Sequence, residues 1–123
     1  MYTLDTNAII YYFKDDPHTV AVLNYIFTEN TPFYISAITE IELFGFSKLS
    51  DQEAEQIEAI LRTVAIIPVD SRIARTAGFI RRNYHINIAD SAIAATALFT
   101  GTTLLTRNIR DFRNIPNLSL RQI

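Results

Sequence analysis

Four short runs of apolar and β-branched residues punctuate the chain, and each gives way to a stretch with helical character. They are Tyr2-Thr3-Leu4, Pro32-Phe33-Tyr34-Ile35, Ala65-Ile66-Ile67-Pro68-Val69 and Thr103-Leu104-Leu105-Thr106. Runs this short and this apolar suit strands buried on both faces, and helices between them suit crossover connections. The arrangement that satisfies both is an α/β fold, a short parallel sheet covered by helices on its two faces. The third run reads as a buried strand, and Leu118-Ser119-Leu120 reads as a last edge strand.

The intervening segments carry helix signals. The polar cluster Asp5-Thr6-Asn7 opens a helix from Ala8 to Phe13. Asp16-Pro17 supplies an N-cap followed by proline at the first helical position, where its missing N–H costs nothing. Val20, Leu23, Ile26 and Phe27 then share a face up to about Thr28. Ser50-Asp51-Gln52-Glu53 is a capping box leading into Ala54, Ile57, Leu61 and Val64. Ile73, Ala77, Ile80 and Tyr84 form a helical stripe. Asn87 caps a helix apolar nearly all round, which predicts a central position, and Gly101 ends it. At 123 residues and 49% hydrophobic, with no linker or repeat, the chain reads as one domain spanning residues 1–123.

Four acids stand at matching places in this alternation: Asp5, Glu42, Asp90 and Asp111, each just after a strand or in the first turns of the following helix. In an open α/β sheet the loops at the carboxyl ends of the strands converge on one rim. Carboxylates gathered there without Lys or His partners are costly unless a hard divalent cation neutralises them, which points to Mg²⁺ or Mn²⁺. Each acid has an ordinary alternative. Asp5 reads as an N-cap, Asp90 as a first-turn acid, and Asp111 as an i+4 partner of Arg107. Glu42 shares a line with Ile38, Gly45, Phe46 and Leu49, an otherwise apolar face where a lone carboxylate is expensive. Glu40 competes with it, and Gly45 leaves room beside it.

Charge is divided along the chain. Residues 1–61 hold ten acids and two bases (−8), residues 62–123 three acids and nine bases (+6), summing to −2. The bases of the second half are all arginine, whose planar fork suits phosphate, and a polyanion such as RNA fits that pattern. Other chemistries find no support. The three glycines form no phosphate loop, His18 and His85 are not placed as a base pair, and without cysteine there is no thiolate site. The apolar stretch Ala89–Phe99 is too short and too polar to span a bilayer. Met1–Asp5 lacks the basic start of a secretory signal, so the expectation is a soluble cytoplasmic protein.

Four segments resemble the motifs of PIN-domain ribonucleases, and among them the VapC-type toxins of toxin–antitoxin pairs. Leu4-Asp5-Thr6-Asn7-Ala8 is similar to the first motif. Ile38-Thr39-Glu40-Ile41-Glu42-Leu43 is similar to the second, whose Glu-Leu pair falls on Glu42. Asp90-Ser91-Ala92-Ile93 resembles the third, and Thr106-Arg107-Asn108-Ile109-Arg110-Asp111-Phe112 the fourth. Many relatives carry an aspartate where this chain has Asn108. The fourth position is therefore Asp111, or Asn108 as a neutral ligand or water-positioner, or vacant.

The resemblance implies a three-layer α/β/α domain and Mg²⁺- or Mn²⁺-dependent cleavage of RNA. Asp5, Glu42, Asp90 and Asp111 would be both metal ligands and catalytic acids. Thr6, Asn7, Ser36, Thr106 and Asn108 would support them, and Arg107 and Arg110 would hold RNA phosphates. It also implies a cognate antitoxin and a homodimer, with Tyr11, Tyr12 and Phe13 as the candidate exposed surface. Two alternatives stand beside this reading. One is a non-catalytic PIN-like module that binds RNA or protein. The other is a receiver-type phosphotransfer domain, disfavoured because Leu4 and Thr6 flank Asp5 and the only lysines are Lys14 and Lys48.

Overall fold

Nearly every long helix begins where a short polar side chain is available to cap it. In the computed structural model, which describes residues 1–123, the order is β1 (Tyr2–Leu4), α1 (Thr6–Phe13), α2 (Pro17–Phe27), β2 (Phe33–Ser36), α3 (Ala37–Phe44) and α4 (Asp51–Leu61). It continues with β3 (Ala65–Ile67), α5 (Ser71–Tyr84), α6 (Ile88–Thr100), β4 (Thr103–Thr106), α7 (Ile109–Phe112) and β5 (Ser119–Gln122). Asp16 accepts from the Thr19 N–H, Asp70 from Ile73 and Asn87 from Asp90. Both halves of the Ser50/Glu53 capping box are formed. Each such cap contributes about 1 kcal/mol. Gly101 ends α6 at φ 65°, a left-handed conformation open to glycine at no steric cost. The helix α1 differs from the others. It starts at Thr6 and not at Ala8, and Asp5 occupies its cap position without making a capping hydrogen bond.

All strand pairs are parallel, in the order β3-β2-β1-β4-β5. The chain builds outward from β1 through β2 to β3, then crosses to the other side of β1 to lay down β4 and β5. The strand order therefore reverses between β1 and β4, and the carboxyl ends of those two strands flank the crevice where such sheets bind ligands. The sheet's period of two divides its side chains between two cores. Leu4, Phe33, Ile35 and Leu105 join Ile9, Leu23, Ile26 and Leu61 on one face. Leu104 joins Ile73, Ile80, Ile93 and Phe112 on the other. Adjacent residues Leu104 and Leu105 are thus fully buried on opposite faces.

The central position predicted for the Asn87-capped helix is observed. Ser91 through Ala97 are all buried, and α6 packs against β1, β2 and β4. Its alanines let the helix approach the sheet closely, while buried Thr96 bonds back to the Ala92 carbonyl at 2.8 Å.

Two expectations change. Ala65–Val69 is not a buried strand: β3 ends at Ile67, lies at the sheet edge beside β2 alone, and exposes Ala65 and Ile66. Tyr11, Tyr12 and Phe13 are not an exposed aromatic surface, because α2 folds back over α1 and half-buries all three. Tyr12 meets Phe27 edge-on at 6.1 Å, and Phe27 meets Phe33 at 4.9 Å. The large apolar residues left open include Ile41, Phe44 and Phe46 on and after α3, and Ile88 at the head of α6. No helix is long and apolar enough to cross a membrane.

Candidate active site

Asp5 lies at the switch point itself. Its backbone N–H donates to the Leu105 carbonyl at 3.1 Å, continuing the β1–β4 ladder, and its side chain is only 3% exposed. The carboxylate is held across the crevice, where Thr106 Oγ1 donates to Asp5 Oδ2 at 2.8 Å over a sequence separation of 101. Burial raises the Asp5 pKa above its ordinary value. The Thr106 hydroxyl and the N–H dipoles at the start of α1 oppose that shift, and the nearby Glu42 charge adds to it.

Glu42 reaches the same region from α3. Thr6 Oγ1 donates to Glu42 Oε1 at 2.7 Å and lies 3.0 Å from Thr39 Oγ1. Glu40 makes none of these contacts. Glu42 borders an apolar hollow together with Phe46 and Leu49, as its line of neighbours predicts, but it is itself exposed, one oxygen tethered by Thr6. Leu43 beside it points into the core, and Phe46 lies beyond the end of α3. Gly45 does not serve to make room for it. A β-carbon at Gly45 would stand 2.5 Å from the Ile41 carbonyl oxygen, so glycine is required by the helix end.

Asp90, three residues into α6 from its cap, is half-buried. Asn87 accepts the Asp90 N–H at 2.8 Å and donates its own amide to Asp90 Oδ2 at 3.0 Å. The expected first-turn role is therefore real, but it does not exhaust the residue. Desolvation, then the charges of Asp5, Glu42 and Asp111, push the Asp90 pKa up to about 6 against the stabilising bond from Asn87. Asp90 thus lies within electrostatic reach of the other three acids.

The fourth acid comes from α7. Asn108 Nδ2 donates to Asp111 Oδ2 at 2.6 Å, and the Asn108 backbone N–H donates to Thr106 Oγ1 at 2.9 Å. Thr106 thereby links Asp5 to the segment that carries Asp111. The anticipated Arg107–Asp111 pair is absent. The Arg107 guanidinium is bonded to Asp16 Oδ2 and, at 2.9 Å, to Thr19 Oγ1, and lies 4.0 Å from the Tyr11 ring centroid. It does not stand ready for a phosphate, whereas Arg110 is exposed and unpaired. Ser36 is buried, but its hydroxyl caps α3 through the Ile38 N–H and touches no acid. The Asn7 side chain is exposed and bonds to none of the four.

The sequence reading passed over two supports. Thr39 lies one turn before Glu42 on α3, a spacing that puts the two on one side. Asn87 reads from sequence as a cap alone, and its second bond to Asp90 needs the three-residue reciprocity of a capping box. The donor set is all hard oxygen, and no Lys or Arg forms an ion pair with any of the four acids. That chemistry fits Mg²⁺ or Mn²⁺. No three of the carboxylates converge tightly enough to make a finished cage, as expected of like charges that repel.

Comparison with known proteins agrees with this architecture. A family model described as the PIN domain matches residues 2–118. The chain is 30% identical over 128 residues to Ribonuclease VapC2 of Rickettsia felis, covering 98% of this chain and 96% of that protein. It is similar to a solved structure of VapBC2 from Rickettsia felis bound to a DNA fragment from the promoter. There the TM-score is 0.82 and the identity 29%, over 98% of this chain and 97% of that one. It is similar too to DNA-bound VapBC from Salmonella typhimurium, with a TM-score of 0.85 and 27% identity over 98% of this chain and 96% of that one. With a family match running nearly end to end and four acids set around the β1–β4 switch point, the chain belongs to the PIN-domain family, on its VapC branch.

Proposed function

We propose that this chain is the ribonuclease toxin of a toxin–antitoxin pair, cleaving RNA with Mg²⁺ or Mn²⁺. The observation that carries the reading is that Asp5, Glu42, Asp90 and Asp111 are set around the β1–β4 switch point, each held by a neutral Thr or Asn side chain and none paired with Lys or Arg. Asp5 and Asp90 would hold the ion, with Glu42 and Asp111 as the remaining candidates. When bound, the ion supplies charge neutralisation at the scissile phosphate and acidifies a water. The chain's own residues do the rest. Thr106 and Asn87 fix the orientation of Asp5 and Asp90. Glu42 and Asp111, each tethered by one oxygen, keep the other directed to solvent, where it can orient the attacking water or accept its proton. Arg110, exposed near Asp111, is placed to hold a flanking phosphate.

Two apolar hollows beside α1 support the antitoxin as partner. One, of about 360 Å³, is lined by Leu4, Ile9, Tyr12 and Phe27 among others. The other, of about 390 Å³, runs between Ile10, Phe13, Leu43 and Phe46 up to Glu42. A segment seated in the second would cover Glu42. Ile41, 68% exposed on α3, and Ile88, 64% exposed on the adjoining α6, are the better candidates for a homodimer surface. Purified protein incubated with single-stranded RNA should cut it with Mn²⁺ or Mg²⁺ and stop on adding EDTA. Cleavage that persists in EDTA would remove the metal from the mechanism. Tight metal binding by calorimetry with no cleavage of any RNA would favour the non-catalytic binding module.

A further inference from the structure

Thr106, Arg107 and Asn108 are consecutive, yet they face two ways. Thr106 bonds Asp5 and the Asn108 N–H, and Asn108 bonds Asp111. Arg107, the first residue after β4, points away and crosses to the α1–α2 corner, 91 residues earlier in the chain. There its planar guanidinium meets three groups at once. These are the Asp16 carboxylate, the Thr19 hydroxyl and the face of Tyr11. Asp16 is already fixed, since its Oδ2 caps α2 by accepting the Thr19 N–H at 3.0 Å. Arg107 therefore anchors to a rigid helix start and not to a mobile surface acid.

We propose that Arg107 is a positioning residue that braces the β4–α7 segment against α1 and α2, and so sets the span between Asp5 and the Asn108/Asp111 pair. Asp5 begins α1, and Tyr11 lies later on the same helix. The brace thus joins the two sides of the crevice at a further point, beyond the Thr106–Asp5 side-chain bond and the Asp5 N–H bond to Leu105. Two bonds from one guanidinium nitrogen, Nη2, together with a plane seated over the Tyr11 ring, resist rotation in a way that an ammonium cannot. The inference rests on the ribonuclease reading above for its catalytic consequence, though not for the brace itself.

Two variants test it, chosen so that each folds. Asp16→Asn keeps an N-cap oxygen for α2 while removing the charge that Arg107 grips, and Arg107→Lys keeps the charge without the plane that lies over Tyr11. Single-turnover cleavage of a short fluorescent RNA in Mn²⁺, RNA binding at several salt concentrations, and amide exchange at Asn108 and Asp111 are measured for parent, singles and double. Displacement of one side of the crevice by a fraction of an ångström should lower the cleavage rate of each single variant about tenfold. The double should be no slower than the slower single, because both break one brace. Affinity and salt slope should stay at the parent values, and exchange at Asn108 should speed up in both.

Weaker binding with a flatter salt slope in Arg107→Lys, together with parental cleavage by Asp16→Asn, would overturn the proposal in favour of a phosphate contact. Additive losses in the double would overturn it as well. A parent protein that cuts no RNA defeats the ribonuclease reading and leaves the brace to the exchange data. Unchanged exchange in both variants then rejects it, and equal acceleration in both and in the double upholds it.

Discussion

The acids of this site fall into two pairs that differ in how the fold holds them. Asp5 and Asp90 form an inner pair, buried or half-buried and bonded to residues that also hold the backbone in place. Glu42 and Asp111 form an outer pair, both exposed and each secured by one hydrogen bond to one neighbour. A buried carboxylate among like charges strains the metal-free fold, whereas an exposed one is relieved by solvent. If the four act as proposed, the inner pair couples function to stability and the outer pair serves chemistry at almost no structural cost.

The largest effect should come from Asp5→Asn. Cleavage should fall on the order of a thousandfold, as for loss of a preorganised charge at a reacting phosphate. The metal-free protein should nevertheless melt at or above the parent's temperature, because one repulsive charge is gone and the amide oxygen still accepts from Thr106. Excess Mn²⁺ should reverse that order, since ligand binding stabilises the parent more. Melts in EDTA and in Mn²⁺ decide the matter. A variant several degrees less stable in EDTA, with an undiminished gain from Mn²⁺, makes Asp5 a structural cap.

The contrast between the pairs sharpens with Thr106→Val against Glu42→Gln and Asp111→Asn. Removing the Thr106 hydroxyl leaves the buried Asp5 carboxylate and the Asn108 N–H without their partner, which costs about 1–3 kcal/mol of stability, and cleavage should drop on the order of 10- to 100-fold. The two outer variants should lose about tenfold or more in rate, with melting temperatures within about a degree or two of the parent. Substantial destabilisation by either would erase the distinction drawn here.

Next in size is a pH effect. Asp90 has its folded pKa raised from 3.8 to about 6. A raised carboxyl pKa favours the folded state most when the group is neutral, so this contribution is full below about pH 4 and lost as pH rises through about 6. In EDTA, the melting temperature of Asp90→Asn minus that of the parent should grow between pH 4 and pH 7. Metal affinity and cleavage should rise over the same window as the acids ionise. A flat difference across that range would show that Asp90 sits in an ordinary environment. The smallest effect belongs to Arg110→Ala, which should weaken RNA binding a few-fold and lower the salt slope by about one, without touching metal affinity. An unchanged slope moves the RNA path away from α7.

Much of this was legible in the chain because the signals are local. Ser50 and Glu53, Asp16 and Pro17, Asn87 and Gly101 act within a turn of themselves, and each starts or stops the helix it announces. The acids could be located for the same reason, since strand-to-helix transitions place them on one rim. What local patterns do not carry is lateral position. Ala65–Ile67 has the composition of an interior strand, yet it sits at the edge because nothing pairs beyond it. Tyr11 to Phe13 look exposed until α2 is folded over them. Arg107 has Asp111 at helical spacing, but its pairing with Asp16 depends on a sheet that brings residues 91 positions apart together. Ser36, expected to support an acid, instead caps the helix that follows it, a local demand met by the Ile38 N–H.

The Thr106–Asp5 bond also has a consequence in time. Asp5 directly follows β1 and Thr106 ends the neighbouring β4, but they leave the ribosome 101 positions apart. At roughly 5–20 residues per second, the interval between their emergence is on the order of 5–20 s. Until β4 has been synthesised and paired with β1, Asp5 has no hydroxyl partner and the segment bearing Asp111 has no anchor. A nascent chain halted before Thr103 should therefore lack metal affinity at Asp5, which a ribosome-stalled fragment can report. On the proposed reading, the site is assembled only once β4 has been made and paired with β1.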